Sequence, residues 1–350
     1  MTVDVMPTPA ETQEPTVKDQ AARVLAHIAG YAGTRTIELG LAHGLIETLA
    51  RHPDGLTIEA LATEAGLDRF NVEVWSRAGV AHDLLERTAD GGVRLAPHLD
   101  TVLLDRGSAA YVAGTLNVMV QAEVFDRFGA TFASGERTWW DQCSPAFIDG
   151  VSGSGGAFYA RLIPDGLRVI PGLGERLGAG ARVLEVACGT GVGLVRLAEA
   201  FPGATIVGAD GDAFSLTLAA DRLREHGLAD RVELVHTPLE DLDRVREFDL
   251  VVSNISMHEC RDLDRVTEHV KRALRPDGTV VISDFAFPDT DEGLRTVPGR
   301  IMSGIQFFEA GIDDQLLPPS AYVELLARHG FRDIGTFALA PIHAVVHAQR

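Results

Sequence analysis

Cysteine is scarce: the 350-residue chain has three, Cys143, Cys188 and Cys260. They are too few and too scattered for a disulfide framework or a zinc knuckle, and they suit a reducing, cytoplasmic compartment. Long apolar runs are absent. No stretch approaches the ~20 apolar residues that a membrane helix needs. Residues 1–20 carry Pro7, Pro9 and Pro15 with several acids and no leader-like apolar core. Positive charge is also short: 31 Lys and Arg stand against 50 Asp and Glu, a net charge of −19. Such a surface repels phosphate backbones and anionic membranes, which argues against nucleic acid or membrane as partner. No internal repeat is visible.

What remains is an ordinary globular composition, 46% hydrophobic and 23% charged. Its pattern changes along the chain. Residues 1–16 read as a disordered tail. Residues 17–105 read as helices followed by a hairpin. A tight turn at Gly66-Leu67-Asp68 separates two helices, with Asp68 as N-cap, and a hairpin turns at Asp90-Gly91-Gly92. Helix-turn-helix plus hairpin is a winged-helix outline. Such a unit can read DNA, but residues 56–106 hold nine acids against five Arg and no Lys, so dimerisation is the better expectation. Residues 106–160 form a helical linker and lid region, with loop-like stretches at "SGERTWWDQCSPAF" and "GVSGSGGAF".

From residue 161 a third region begins. Strand "ARVLEVA", helix, strand "TIVGAD", helix, strand "RVELVH", strand "FDLVVSN", helix and strand "GTVVISDF" alternate. That series implies an α/β fold with a doubly wound parallel sheet. A long insertion (286–318) precedes a last helix. "RDIGTFALA" and "IHAVVHAQ" read as a terminal antiparallel pair. His343 and His347 share one face there and read as surface residues.

The first strand runs into Gly189-Thr190-Gly191-Val192-Gly193. A strand feeding a glycine loop that opens a helix is a nucleotide-binding device. The third glycine of the dinucleotide fingerprint would fall at Leu194, and no Gly-Lys-Ser/Thr follows, so neither dinucleotide nor phosphate-loop motif fits. Glu185 would repel a pyrophosphate and favour a cation. Asp210 ends the second strand, where doubly wound folds grip ribose hydroxyls. S-adenosylmethionine carries an ammonium, a sulfonium and an adenosine.

"VLEVACGTGVG", "IVGADGD", "FDLVVSNISMHEC" and "VKRALRPDGTVVISDF" resemble the successive motifs of class I S-adenosylmethionine-dependent methyltransferases. With the helical front half, the chain resembles their two-domain, small-molecule O-methyltransferase-like family. The resemblance implies a Rossmann-like seven-stranded sheet ending in an antiparallel pair, behind a winged-helix dimerisation domain. It implies a homodimer, S-adenosyl-L-methionine as cofactor, S-adenosyl-L-homocysteine as product and a small-molecule acceptor.

Carried over by position, Glu185, Ala187 and Gly189 hold the methionine part, and Gly191 admits the adenosine. Asp210 binds the ribose, Gly211 and Asp212 lie beside the adenine, and Asn254 faces the methionyl end. The family's Gly-Asp before the adenine contact reads Thr237-Pro238, leaving the Leu239 backbone for the ring and Glu240 or Asp241 for the acid. Tyr159 or Arg161 reaches the cofactor carboxylate. His258 matches the general-base histidine, oriented by Glu259 or Asp262. Trp139, Phe307 and Phe308 are expected to line the acceptor pocket. No metal is assigned. His258 and Glu259 offer two ligands, as in related iron-dependent methyltransferases of α-keto acids, but the motif holds no third. Metal-assisted methylation at carbon, or a cofactor-binding relative with non-methylating chemistry, stays open; a winged-helix regulator is the rival of another class.

Overall fold

The computed structural model describes residues 14–137, 151 and 155–350. The expected tail falls almost wholly outside them, as does Trp139. The described chain forms two compact units, one ending at Asp100 and one beginning at Thr101.

In the first unit, α1 (Val17–Ala42) starts on a reciprocal cap: Thr16 Oγ1 accepts from the Asp19 amide at 3.2 Å, and Asp19 Oδ2 accepts from the Thr16 amide at 2.9 Å. α2 (Leu45–Arg51), α3 (Ile58–Ala65) and α4 (Arg69–Ala81) follow. Gly66 ends α3 at φ 66°, and Asp68 caps α4 by accepting from the Asn71 amide at 3.0 Å. β1 (Leu85–Arg87) and β2 (Val93–Leu95) pair antiparallel as the expected hairpin. Leu45, Leu49, Leu61, Val72, Trp75 and Val93 form the core.

The second unit carries a seven-stranded sheet. Its strands are β3 (Arg182–Val186), β4 (Thr205–Asp210), β5 (Val232–His236), β6 (Phe248–Asn254), β7 (Leu274–Phe285), β8 (Arg332–Ala340) and β9 (His343–Gln349). Their order is β5-β4-β3-β6-β7-β9-β8. β3 to β7 are parallel, and β9 runs antiparallel to both β7 and β8. The chain winds outward from β3 to β5, then returns to place β6 against β3. That reversal opens a crevice at the carboxyl ends of β3 and β6, where ligands of such sheets bind. β3 is apolar on both faces, as a central parallel strand must be. Val183 packs toward Leu194 and Tyr159, while Leu184 and Val186 pack toward Val251 and Val270. Glu185 shares a face with Val183 by the two-residue period.

Three local expectations change. Among its described residues, the helical region expected at 106–160 holds two short helices, α5 (Ala113–Met119) and α6 (Ala122–Thr131), ahead of α7 (Gly156–Arg161). The loop-rich insertion at 286–318 holds a 15-residue helix, α8 (Val297–Gly311). Its start is marked by Thr296, which accepts from the Gly299 amide at 3.1 Å, and by Pro298 in the first turn. His343 is not a surface residue: it is fully buried, because β9 inserts between β7 and β8 instead of taking the edge.

Candidate functional site

The glycine loop begins in a left-handed turn. Ala187 has φ 50°, Gly189 φ 52° and Gly191 φ 78°. At Ala187 the missing glycine therefore has a conformational meaning as well as a steric one, since a β-carbon disfavours that region by roughly 1–2 kcal/mol. Hydrogen bonds hold the turn. The Cys188 amide donates to Ala209 O at 3.1 Å, and the Gly189 amide donates to Asp210 Oδ2 at 2.8 Å. Arg222 donates to Thr190 Oγ1 at 2.6 Å. Gly193 opens the following helix, α9 (Val192–Ala200). A β-carbon there would overlap the Glu185 carboxylate and the Tyr159 ring.

A cavity of about 170 Å³ lies over this loop. Of the expected site residues, Ala187, Gly189, Asp210, Asn254, Tyr159 and Phe308 line it. Glu185 lies buried near it, 1% exposed, and neither carboxylate oxygen has a hydrogen-bond partner. Burial pushes its carboxyl up to about 8; the Tyr159 hydroxyl opposes the rise and the Asp210 charge adds to it. Asp210 is also pushed up by burial, against the amides of Asp212 and Gly189. Its Oδ1 accepts from the Asp212 amide at 2.8 Å, so both oxygens already tie strand to loop.

Other expected residues sit further out. Asp212 caps the next helix by accepting from the Ser215 amide at 2.7 Å. Gly211 is followed by no cavity-lining residue until Ser215. Leu239 is buried in a short turn, and Glu240 accepts from the Arg261 amide at 3.1 Å. Arg161 donates from Nε to Ala109 O at 2.8 Å, and its Nη1 is buried without a partner. Phe307 packs its ring against Phe125 and Phe128, at 5.5 and 5.0 Å between centroids, and does not line the cavity as Phe308 does.

His258 follows β6 in a short turn, and its side chain is wholly buried. Neither Glu259 nor Asp262 orients it. Asp262 caps the next helix, α10 (Leu263–Ala273). Asp284 does the orienting, with oxygens 2.9 and 3.0 Å from Nδ1. Asp284 in turn accepts from the Tyr322 hydroxyl at 2.6 Å and from the Phe285 amide at 2.8 Å. Asp284 already accepts from two donors and offers the ring only acceptor oxygens, so Nδ1 is assigned as the donor to it. Nε2 lies 3.6 Å from Glu309 Oε2 and 4.0 Å from Glu259 Oε1, and both acids line the cavity. Burial alone would lower the His258 pKa, but Asp284 and Glu309 outweigh it and hold the ring well above its usual value. Asp314 is pushed up to about 7, first by burial and then by the Glu309 charge.

Asp284, Glu309 and Tyr322 were not among the sequence candidates. Asp284 shared the signal that marked Glu185 and Asp210, an acid near the carboxyl end of a buried strand. Glu309 lies inside a helix with no local cue.

Residues 177–307 match a family model described as a methyltransferase domain, Methyltransf_31. Residues 177–307 thus form a methyltransferase domain of that family, carried on the doubly wound sheet. Among curated relatives, the chain is 36% identical to methyltransferase GfsG of Streptomyces halstedii over 142 residues, 39% of this chain and 49% of that one. It is 35% identical to the U6 snRNA (guanine-N(2))-methyltransferase THUMPD2 of Bos taurus over 109 residues, 30% of this chain and 22% of that one. The chain thus spans half or less of the curated relatives it matches first. The human N-acetylserotonin methyltransferase structure, in complex with SAM, superposes at TM-score 0.70 with 17% identity, over 96% of this chain and 99% of that one. That likeness extends the shared fold to the N-terminal helical unit. Among the described residues, no helix is long and apolar enough to cross a membrane.

Proposed function

We propose that the protein transfers a methyl group from S-adenosylmethionine to a small-molecule acceptor, at oxygen, with His258 as the base. One observation carries the cofactor assignment: the Glu185 carboxylate is buried beside the glycine loop with no hydrogen bond formed to either oxygen, the Tyr159 hydroxyl standing close but not engaged. An unpaired buried carboxylate is costly, and a cationic ligand in the adjoining cavity removes that cost. The donor set suits the rest of the ligand. Glu185, with the backbone at Ala187 and Gly189, takes the amino-acid end, and Asn254 and Tyr159 face it from the cavity wall. Arg161 brings an unpartnered Nη1 nearby in sequence to Tyr159. Gly191, expected beside the adenosine, does not line the cavity; a β-carbon there would press on Ala219, so it shapes the loop instead. Asp210 takes the ribose hydroxyls, and the Gly211–Asp212 and Leu239–Glu240 segments border the adenine end.

When bound, S-adenosylmethionine supplies an already activated methyl group, so the protein's task is to align the acceptor and remove a proton. Phe158, Phe285, Ile305 and Phe308 give the cavity apolar walls. They suit a planar or apolar acceptor. Glu309 lines the cavity and couples it to His258 Nε2. Asp284 fixes the ring with Nδ1 protonated, which leaves Nε2 as the proton-accepting atom. A cation held in the same cavity opposes the rise in the imidazole pKa and so favours the neutral form that takes a proton.

A homodimer through the N-terminal unit belongs to the same reading. α1 leaves Val24, Leu25, Ile28 and Tyr31 exposed, an apolar surface that a second copy would cover. The net charge of −19 supports a small acceptor over a nucleic acid.

Asp210→Ala should weaken binding of S-adenosylhomocysteine by about 1.5–3 kcal/mol, the scale of a charge-assisted hydrogen bond. Calorimetry reads this, and unchanged affinity would remove Asp210 from the site. Release of S-adenosylhomocysteine with a hydroxylated acceptor, lost when that hydroxyl is capped, tests the acceptor atom. Release that survives capping would move it to carbon or nitrogen.

A second reading has its own observation. Ligand atoms of His258, Glu259 and Glu309 lie within 4.8 Å of one another, supplying the third group the sequence motif lacked. His258 Nε2 and Glu309 Oε2 have no hydrogen-bond partner. One imidazole and two carboxylates suit a divalent cation such as Mn²⁺ or Fe²⁺. Such a cation would hold a chelating acceptor for methylation at carbon. Mn²⁺ titration followed by electron paramagnetic resonance decides: stoichiometric binding abolished by Glu309→Ala favours the metal, and no binding leaves His258 as the base.

A further inference from the structure

Behind the cavity wall lies a buried polar chain of which the chemistry above uses only Asn254. The Ser283 hydroxyl donates to Asn254 Oδ1 at 2.8 Å, and Ser283 Oγ lies 2.7 Å from His343 Nε2. All three residues are at least 95% buried. The register of the sheet builds this chain, since Asn254 pairs with Ser283 across β6 and β7. β9, inserted beside β7, brings His343 to the same end.

The hydrogens can be counted. Asn254 Oδ1 only accepts, so Ser283 gives it its single hydrogen. The contact to His343 is then satisfied only if His343 donates from Nε2. The ring is neutral, because burial and then the Arg161 charge push its pKa down to about 3, with Asp284 opposing. Nδ1 is left as a bare lone pair, and it has no partner. Running the chain the other way would put an N–H at Nδ1, buried without an acceptor, which is the rarer defect. The free end of the chain is Asn254 Nδ2, which forms no hydrogen bond, though the Tyr159 hydroxyl stands beside the Asn254 side chain on the cavity wall.

We propose that His343 is a positioning residue for the cofactor: by donating to Ser283 it fixes the Asn254 amide, so that Nδ2 is presented to the cavity as a donor for a carboxylate oxygen of the ligand. This rests on the cofactor reading given above. The fixed amide also explains why a histidine stands inside a sheet core. An apolar residue there would leave Ser283 free to rotate and Asn254 free to flip.

The test is calorimetric affinity for S-adenosylhomocysteine in the full-length chain. His343→Leu and the smaller change Ser283→Ala should each weaken binding by about tenfold, the scale of a misdirected hydrogen bond. His343→Gln, whose side-chain amide can still donate to Ser283, should restore wild-type affinity. In turnover assays, KM for S-adenosylmethionine should rise in the Leu and Ala variants while kcat at saturating cofactor holds. Wild-type affinity in both Leu and Ala variants would overturn the proposal, and so would equal loss in the Gln and Leu variants, which would mark packing alone. Asn254→Ala separates the two levels. If it binds normally, the assignment of Asn254 to the cofactor fails and takes the proposal with it. If it weakens binding while Ser283→Ala and His343→Leu do not, only the role of His343 fails.

Discussion

His258→Ala is expected to lower turnover by about 10²–10⁴-fold, the usual contribution of a positioned general base, while leaving affinity for S-adenosylhomocysteine unchanged. The two halves of that expectation come from two places in the fold. Cofactor-facing groups sit on the glycine loop and the ends of β3, β4 and β6. His258 sits beyond them, packed against Asp284 and facing Glu309. Asp284→Asn should lower turnover as well, because an amide can turn its NH₂ to Nδ1 and move the ring's proton to Nε2. Tyr322→Phe should cost less, since Asp284 keeps the Phe285 amide as a donor. Single-turnover assays at saturating cofactor measure all three. Full activity in His258→Ala would assign the histidine to structure.

Affinity for S-adenosylhomocysteine, which keeps the α-ammonium, is expected to rise with pH by about tenfold per unit below pH 8, then level off. The cause is Glu185, whose carboxyl is raised from 4.5 to about 8 in the folded protein, first by burial. The ligand's cation needs the ionised form, and below pH 8 the folded protein must release a proton to provide it. Stability moves the opposite way. A carboxyl with a raised pKa holds its proton more tightly folded than unfolded, so its contribution to stability is complete below pH 4.5. That contribution is lost as pH climbs toward about 8. The ligand-free protein should therefore lose melting temperature over the window in which it gains affinity. Glu185→Gln should flatten both profiles and weaken binding at pH 8. Calorimetry in buffers of different ionisation enthalpy should show about one proton released per ligand at pH 7. A pH-independent affinity would show that Glu185 does not meet the cation.

Much of this site was legible in the chain because it depends on strand ends. Alternating apolar strands and helices placed Glu185, Asp210 and Asn254 near the carboxyl ends of neighbouring parallel strands, and β4, β3 and β6 do lie side by side in the sheet. The acceptor side was less legible, for a geometric reason. Phe307 and Phe308 are neighbours in sequence, but on a helix they point about 100° apart, so only one reaches the cavity. Glu309 meets His258 only because α8 packs beside the sheet, and no local pattern encodes that approach. His343 was misread because sequence order does not say that the last strand slips between two earlier ones. Asp284 could have been found, since it repeats the strand-end acid signal already used twice.

The central claim is that the cavity over the glycine loop is built for a cationic amino acid joined to adenosine. A calorimetric titration of the purified chain with S-adenosylhomocysteine, run beside NADH, tests it most directly. The account predicts one binding event per chain with S-adenosylhomocysteine and no heat with NADH. Heat with NADH and none with S-adenosylhomocysteine would contradict it.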